Sequence, residues 1–192
     1  LESRGMRLSE GTIVDATIVN APSSTKNKEK KRDPEMHSTK KGNQFYFGMK
    51  IHVGVDKATK LAHSLVTTPA NVHDSHLIGE LLHGGEIGVW GDSAYMGKTE
   101  EINGKAPMAS DNTNRRSTRN RKLTEEEKER NRMLSRTRVR VEHVFGVVKN
   151  VFGYRKVRYK GLAKNTNGIH VLFALSNLYM VRRELLSLPA GV

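Results

Sequence analysis

Cysteine is absent from the 192 residues of this chain, and tryptophan occurs once. Without cysteine the chain forms no disulfide and no thiolate metal site, which suits a reducing cytoplasm. Long apolar runs are also missing, since the longest, residues 169–181, is interrupted by Ser176 and Asn177. Such a segment is too short and too polar to span a bilayer, and no signal peptide is recognisable. The composition therefore predicts a cytoplasmic protein without a membrane partner.

Acidic residues are scarce relative to basic ones. The chain has 33 Lys and Arg against 20 Asp and Glu, which gives a formal net charge of +13. Most of the excess lies in residues 26–41 and 112–140, which carry net charges of +4 and +7. Blocks this dense indicate a polyanionic partner, most commonly nucleic acid, although solvated loops that maintain solubility are the alternative.

The length predicts one domain, 1–192, in which residues 26–42 and 110–123 are mobile basic loops. The pattern of alternation and helical periodicity predicts strands before helices, hence an α/β fold. Its mixed central sheet has three antiparallel strands first and is flanked by α-helices. Thr124 and Glu127 form a capping box that opens a long helix. The predicted elements are strands at 12–19, 44–55 and 61–68, a short helix capped by Asp74 and ending near His83, strands at 86–90 and 105–109, a helix from Thr124 to about Val151, and a final helix at 165–186.

Glu142 is the only acid in residues 130–149, a segment rich in arginine. On a helix, Arg138, Glu142 and Lys149 fall within about 40° of one another. Glu142 therefore lies at the edge of a buried face and is surrounded by cations. The adjacent apolar stripe, which we expect to pack on the core, consists of Leu134, Val141, Val144 and Val148.

Two aspartates elsewhere resemble Glu142 in being unusually placed. Asp15 lies in the middle of a predicted strand, where aspartate is depleted and is costly on a buried face. Asp92 follows the end of a strand, where ligands bind in open α/β sheets. Read singly, Asp15 could face solvent on an edge strand, and Asp92 could cap a turn. Together the three carboxylates suit Mg²⁺, and two such ions about 3.5–4 Å apart support phosphodiester chemistry.

A zinc site is a competing interpretation, because His73, Asp74 and His76 with Asp92 offer histidine and carboxylate ligands. A helix cap at Asp74 and a surface histidine at His76 explain the same residues more simply. His52, in the second predicted strand, is interpreted as a packed or edge histidine and not as a base.

Three acidic blocks occur in order along the chain: GTIVDATIVNAP at 11–22, GDSAY at 91–95, and Arg138-x3-Glu142-x6-Lys149. With residues 47–56 and 71–75, they resemble bacterial DDE transposases of the insertion sequence 5 family. The resemblance extends over about residues 11–185. The ordered set is much more specific than any single block.

The resemblance implies an RNase H-like catalytic domain in which Asp15, Asp92 and Glu142 are catalytic and bind two Mg²⁺ ions, with Mn²⁺ as a substitute. It implies hydrolytic nicking at transposon ends, followed by attack of the freed 3′-OH on target DNA. The partner would be double-stranded DNA in a bacterial cytoplasm, near the nucleoid, and no small-molecule cofactor is expected. Arginines clamp phosphates by bidentate contacts. The expected DNA-contacting residues are Arg138, Lys149, Arg136, Arg140, Ser135, Lys40 and Lys41.

Two features differ from the family pattern. Ser135 stands where the family has a tyrosine, so a phosphate contact is retained and a stacking role is lost. The family's N-terminal DNA-binding portion does not occur in residues 1–192, which predicts a catalytic domain without that portion and leaves a homodimer open.

Two alternative functions are consistent with the same sequence features. One is a stand-alone RNase H-like nuclease, and the other is a non-catalytic DNA-binding remnant that regulates transposition.

Overall fold

The computed structural model of the protein describes residue 8 and residues 11–187. Its strands are β1 (Gly11–Asn20), β2 (His37–Lys41), β3 (Gln44–Asp56), β4 (Ala62–Pro69), β5 (Gly88–Gly91) and β6 (Ser110–Thr113). Its α-helices are α1 (Thr99–Lys105), α2 (Glu125–Arg138), α3 (Val141–Gly146), α4 (Leu162–Met180) and α5 (Arg182–Ser187). Two 3₁₀ helices (Asp74–Leu81 and Ser93–Tyr95) and a π-helical turn (Val147–Val151) complete the described elements.

The sheet is mixed, as predicted. β3 pairs antiparallel with β1 on one side, while on its other side the first part of β3 pairs with β2 and the remainder with β4. Beyond β1 the sheet continues in parallel through β5 to β6. The three long strands β1, β3 and β4 are antiparallel and precede the helices in the chain, which confirms the predicted α/β arrangement.

β1 contributes to two apolar clusters, one on each face of the sheet. Successive side chains of a strand point to opposite faces, and Ile13 packs in one cluster while Val14 packs in the other. The Ile13 cluster includes side chains from α3 and α4, and the Val14 cluster includes side chains from α1 and the first 3₁₀ helix. Helices therefore cover both faces. Because Asp15 and Thr17 alternate in step with Ile13, they belong to the face covered by α3 and α4.

The predicted apolar stripe packs on that face. Val141, Val144 and Val148 are buried in the core, while Leu134, one helix earlier, is half-buried. The capping box is also confirmed, because the Thr124 side chain accepts a hydrogen bond from the Glu127 backbone and the Glu127 carboxylate accepts one from the Thr124 backbone.

The long helix is not continuous, and its prediction to Val151 is wrong. It ends at Arg138, and α3 begins at Val141 after a turn. The turn is fixed by Arg140, whose guanidinium Nη1 donates to the Lys57 carbonyl at 2.7 Å. The local periodicity does not reveal this long-range contact. The final helix likewise begins at Leu162 and is interrupted at Val181, so the predicted range 165–186 merges two helices.

The two basic segments are not wholly irregular, which corrects their prediction as mobile loops at 26–42 and 110–123. Residues 37–41 form β2, and residues 110–113 form β6. β6 consists of Ser, Asp, Asn and Thr, which have no apolar alternation, so only its pairing with β5 defines it as a strand. The strand predicted at 105–109 is also wrong, because α1 ends at Lys105 and residues 106–109 form a turn before β6.

The short helix after β4 is a 3₁₀ helix, and its cap is His73 in place of the predicted Asp74. The Nδ1 atom of His73 accepts a hydrogen bond from the Ser75 backbone at 3.3 Å. Asp74 is unsuited to this role because its carboxylate pairs with the Lys50 ammonium at 2.7 Å.

The start of α4 is stabilised by acids from the segment between β1 and β2. The Gly161 N–H donates to the Asp33 carboxylate and the Leu162 N–H to the Glu35 carboxylate, each at 2.7 Å. The first N–H groups of a helix have no partner inside the helix, and a negative charge there is favourable. These contacts tether the basic segment to α4. No helix within the described residues is long and apolar enough to cross a membrane.

Asn165, fully buried in the first turn of α4, connects the helix to the segment that precedes it. Its side-chain oxygen accepts hydrogen bonds from the Tyr154 hydroxyl and from the Arg158 and Tyr159 N–H groups. Its amide nitrogen donates to the Tyr159 and Gly161 carbonyls at 2.7 Å each. This single side chain thus fixes residues 154–161 against α4.

We expect Asn165→Ala to lower the free energy of unfolding by about 2–4 kcal/mol, because it leaves several buried polar groups without partners. Urea denaturation measures the loss. Asn167→Ala, at an exposed position of the same helix, is the control, and we expect it to change stability by less than about 0.5 kcal/mol. A loss for Asn165→Ala as small as that of the control would contradict this role.

Candidate active site

The parallel pairing of β1 with β5 brings two of the predicted carboxylates to equivalent positions. Ile13 pairs with Trp90, so Asp15 and Asp92 each lie two residues further along adjacent strands. Neighbouring strands are about 4.8 Å apart. Asp15 continues within β1, which is still paired with β3 there, whereas β5 has ended at Gly91. The two carboxylates consequently both lie near the carboxyl end of β5.

Asp15 is held on both sides of its carboxylate. Its Oδ1 accepts a hydrogen bond from the Ala16 N–H at 2.8 Å, and its Oδ2 lies 3.3 Å from the Arg138 guanidinium. Burial raises the pKa of Asp15 to about 6, against the lowering effect of Ala16 and Arg138. The negative charges of Asp92 and Glu142 contribute to this rise. The three predicted carboxylates are therefore electrostatic neighbours in the fold.

Asp92 is the cap of a single 3₁₀ turn, which confirms the plainer of its two interpretations without excluding the other. Its Oδ1 accepts a hydrogen bond from the Ala94 N–H at 2.8 Å. Gly91, just before it, allows a close approach, because a Cβ atom there would lie 3.0 Å from the Tyr95 ring and 3.1 Å from Val14. The tight turn fixes the Asp92 backbone beside β1.

Glu142 reaches the site from α3 and is solvent-exposed. Its side chain makes no hydrogen bond or ion pair with another described residue, so its carboxylate is free to approach a ligand. No group of three or more His, Cys, Asp and Glu side chains in residues 11–187 already has the geometry to hold a metal ion. Asp15, Asp92 and Glu142 thus adjoin one another without forming a closed set of ligands.

Several buried polar atoms beside the carboxylates have no hydrogen-bond partner among the described residues. They are the Tyr95 hydroxyl, the Arg138 Nε and the Asn114 side-chain oxygen. Burial raises the pKa of Tyr95 well above its usual value, and the charges of Asp74, Asp15 and Asp92 add to that effect. Tyr95 belongs to the block at 91–95 that the sequence singled out. Sequence reasoning missed Asn114, because nothing in its local pattern distinguishes it from a loop residue.

The zinc interpretation finds no support. Asp74 is paired with Lys50, and the His73 ring bonds to Ser75 at 2.8 Å. His52 is fully buried, and its Nε2 lies 2.9 Å from the Thr68 hydroxyl. Burial lowers the pKa of His52 to about 4, so the ring is neutral near pH 7. The prediction of His52 as a packed histidine is confirmed.

The predicted DNA-contacting residues divide into those bound to the protein and those facing outward. Arg138 pairs with Asp15, Arg140 bonds to the Lys57 carbonyl, and Ser135 accepts a hydrogen bond from the Asn114 amide at 3.0 Å. Arg136 is exposed, and the Lys40 ammonium lies 5.5 Å from the centre of the Phe45 ring. Lys41 and Lys149 line one cavity next to the carboxylates. Their contacts with DNA stay predictions.

Comparison with known proteins defines the class of the fold. It is similar to that of a piggyBac transposase solved by cryo-electron microscopy in a synaptic complex with hairpin DNA, with a TM-score of 0.57 and 9% sequence identity. The similarity covers 93% of this chain and 48% of that chain, so this chain spans about half the length of the transposase it matches. The fold is thus similar to that of part of this transposase.

A family model described as the transposase DDE domain matches residues 7–178, most of the chain. The chain belongs to the transposase DDE domain family. The matched range contains Asp15, Asp92 and Glu142.

The pKa of Asp15 gives a test of its burial beside other carboxylates. Folding raises this pKa from 3.8 to about 6, so the folded protein binds the proton more tightly than the unfolded chain. The resulting stabilisation is fully present below pH of about 4 and is lost as the pH rises through about 6. Asn at position 15 does not titrate. We therefore expect Asp15→Asn to gain stability relative to the unchanged protein across this window, by up to about 3 kcal/mol.

Urea denaturation of both proteins in EDTA, from about pH 4 to about pH 7.5, measures this gain. At any single pH, the difference in unfolding free energy between the two proteins also includes the loss of the ion pair between Asp15 and Arg138. The quantity to compare is therefore the change of this difference with pH. A stability difference that stays constant over the range would rule out a raised pKa for Asp15.

Proposed function

We propose that this chain is the catalytic part of a DNA transposase that cuts a DNA strand with the help of divalent metal ions and joins the freed 3′-OH to target DNA. The observation that carries the proposal is that Asp92 and Glu142 lie near enough to Asp15 to add to the rise in its pKa that burial causes, in a member of the transposase DDE domain family. Two parallel strands and a helix packed against them supply these carboxylates. The fold would accordingly be RNase H-like, and the chain would belong with the insertion sequence 5 transposases of bacteria.

The chemistry of the three side chains suits a hard cation. Hard cations such as Mg²⁺ prefer oxygen ligands and retain several waters, so two or three carboxylates suffice. Burial is the main cause of the raised pKa of Asp15, and the negative charges of Asp92 and Glu142 add to it. A divalent cation would relieve both effects, because it favours the charged carboxylates. When bound, two such ions would activate the attacking oxygen and stabilise the leaving oxygen. Mn²⁺ would serve the same carboxylates.

Arg138 has a part in this proposal that its charge alone does not suggest. Its guanidinium neutralises Asp15 in the metal-free protein, while its buried Nε has no partner among the described residues. Cation binding at Asp15 would compete with this ion pair. The released guanidinium would then be available to a DNA phosphate, which it binds with favourable geometry.

DNA is the proposed polyanionic partner of the basic surface. The related piggyBac transposase was solved with hairpin DNA, and the net charge of +13 favours a polyanion here. The exposed or partly exposed candidates for phosphate contact are Arg136, Lys40, Lys41 and Lys149. A homodimer is compatible with this proposal, which does not require one.

Asp92→Asn is the test of the metal-dependent activity. We expect it to reduce Mg²⁺-dependent DNA cleavage by at least about 100-fold, equivalent to about 2.7 kcal/mol of transition-state stabilisation, because one metal ligand is lost. DNA affinity measured in EDTA should change little, because the Asp92 carboxylate is not one of the groups expected to contact the DNA backbone. Nicking of a labelled plasmid measures the activity.

Glu126→Gln, at an exposed position on α2, is the control and should cleave as the unchanged protein does. Undiminished cleavage by Asp92→Asn would remove Asp92 from the site. Joining of a labelled 3′-OH end to a second duplex separates transposition from the alternative of a stand-alone nuclease. Salt-dependent DNA binding without cleavage in either Mg²⁺ or Mn²⁺ would instead favour the non-catalytic regulator.

A further inference from the structure

A cavity of about 370 Å³ opens beside the candidate active site, at the carboxyl end of β1. Three cations from separate parts of the chain reach it: Lys41 from β2, Lys149 from the π-helical turn, and Arg155 from the segment that precedes α4. No acidic residue lines the cavity. Its lining consists of Thr17, Ile18, Asn20, Lys41, Tyr46, Lys149, Asn150 and Arg155.

The position of Lys149 is fixed by the protein. Its ammonium donates to the Thr17 hydroxyl at 2.5 Å and to the Ile18 carbonyl at 2.9 Å. Both acceptors are neutral, so these bonds orient the charge without cancelling it. An ammonium has three donors, and these bonds use two of them.

Arg155 is also held in place by the protein. Its Nη2 donates to the Asn150 side-chain oxygen at 2.5 Å, and its Nε donates to the Lys149 carbonyl at 3.2 Å. Its backbone is attached to β1, because the Arg155 carbonyl accepts from the Asn20 N–H and the Val157 N–H donates to the Asn20 carbonyl. The remaining guanidinium donors therefore stay available at the cavity.

The cluster carries an electrostatic cost that an anion would remove. Burial lowers the pKa of Lys149, the positive charges of Lys41 and Arg155 lower it further, and Glu142 partly opposes them. Three cations held around one cavity repel one another, and the neutral partners of Lys149 and Arg155 do not compensate this repulsion. A site built in this way is complementary to a compact anion with several oxygens, such as a phosphate.

The cavity lies at a fixed distance from Asp15. Thr17 follows Asp15 by two residues on the same face of β1, which corresponds to about 7 Å along the strand. A DNA strand carries one phosphate per about 3.4 Å of helix axis. An anion in the cavity would thus lie one or two nucleotides from a phosphate beside Asp15.

We propose that Lys41, Lys149 and Arg155 together bind one backbone phosphate of the DNA strand that the enzyme cuts, one or two nucleotides from the reacting phosphate. The site would hold the strand in register with the carboxylates, with Arg155 and Lys41 as positioning residues. The location relative to the reacting phosphate rests on the proposed function. The binding of a DNA phosphate does not.

The test uses Lys41→Gln and Arg155→Gln, singly and combined. Lys149 is left unchanged because it also bonds to β1, and we expect this one ammonium not to retain the phosphate without the other two cations. Affinity for a duplex oligonucleotide of arbitrary sequence is measured in EDTA between about 50 and 200 mM salt. The slope of log K against log salt becomes shallower by about 0.9 for each phosphate that the protein no longer neutralises. If both cations hold one phosphate, we expect the slope of the double variant to become shallower by about 0.9. We also expect the two single decreases in binding free energy to be non-additive.

The matched control is the double variant Lys164→Gln/Arg183→Gln, which removes the same charges from exposed positions on α4 and α5 outside the cavity. We expect its salt slope to match that of the unchanged protein. Thermal denaturation verifies that every variant is folded. An unchanged slope for Lys41→Gln/Arg155→Gln would overturn the phosphate site. Additive decreases in binding free energy, with a slope shallower by about 1.8, would overturn a shared site, because they indicate that the two cations bind separate phosphates.

The two proposals fail in different ways. If the unchanged protein shows no metal-dependent cleavage but the slope changes as expected, the phosphate site stands and the proposed activity is wrong. If cleavage occurs and the slope of the double variant is unchanged, the activity stands and the phosphate site is wrong. Should both hold, cleavage by the double variant should show a raised KM with a smaller change in kcat, as expected when binding of the strand is weakened.

Discussion

The parallel pairing of β1 with β5 is the constraint on which the candidate site depends. It places Asp15, within β1, beside Asp92, which immediately follows the end of β5. Burial of the Asp15 carboxylate is unfavourable to its charged form, and the nearby charges of Asp92 and Glu142 add to this cost, as the raised pKa of Asp15 indicates. The Ala16 N–H and the Arg138 guanidinium offset part of this cost in the metal-free protein. The strand pairing is thus maintained against an electrostatic penalty that a divalent cation would reverse.

β1 also organises the elements that surround the carboxylates. Its alternating side chains enter both apolar clusters, so helices are held on both faces of the sheet. Arg138 contacts the strand at Asp15 and Lys149 contacts it at Thr17, which aligns the α2–α3 region along one face of β1. At its far end, Asn20 bonds to the segment that carries Arg155. Displacement of this one strand would therefore disturb the carboxylates and the cation cavity together.

The basic residues fall into two groups with different physical roles. Arg138 and Arg140 are engaged by the protein itself, one with a carboxylate and the other with a backbone carbonyl that fixes the turn between α2 and α3. Lys41, Lys149 and Arg155 instead surround a cavity whose lining contains no acid. A count of charges does not distinguish these groups, although only the second is gathered around one cavity. The second group is accordingly the better candidate for DNA contact beside the site.

The sequence by itself determined the antiparallel first strands, the capping box of Thr124 and Glu127, and the apolar stripe of α3, because each depends on local periodicity or on neighbouring residues. It also indicated the three acids, because a carboxylate within an apolar strand or among arginines is conspicuous in the amino-acid sequence. Only the tertiary structure decided that β6 is a strand, that the long helix breaks after Arg138, and that Arg155 joins Lys41 and Lys149. These features depend on hydrogen bonds and charges between residues far apart in the chain, and no local pattern encodes such contacts.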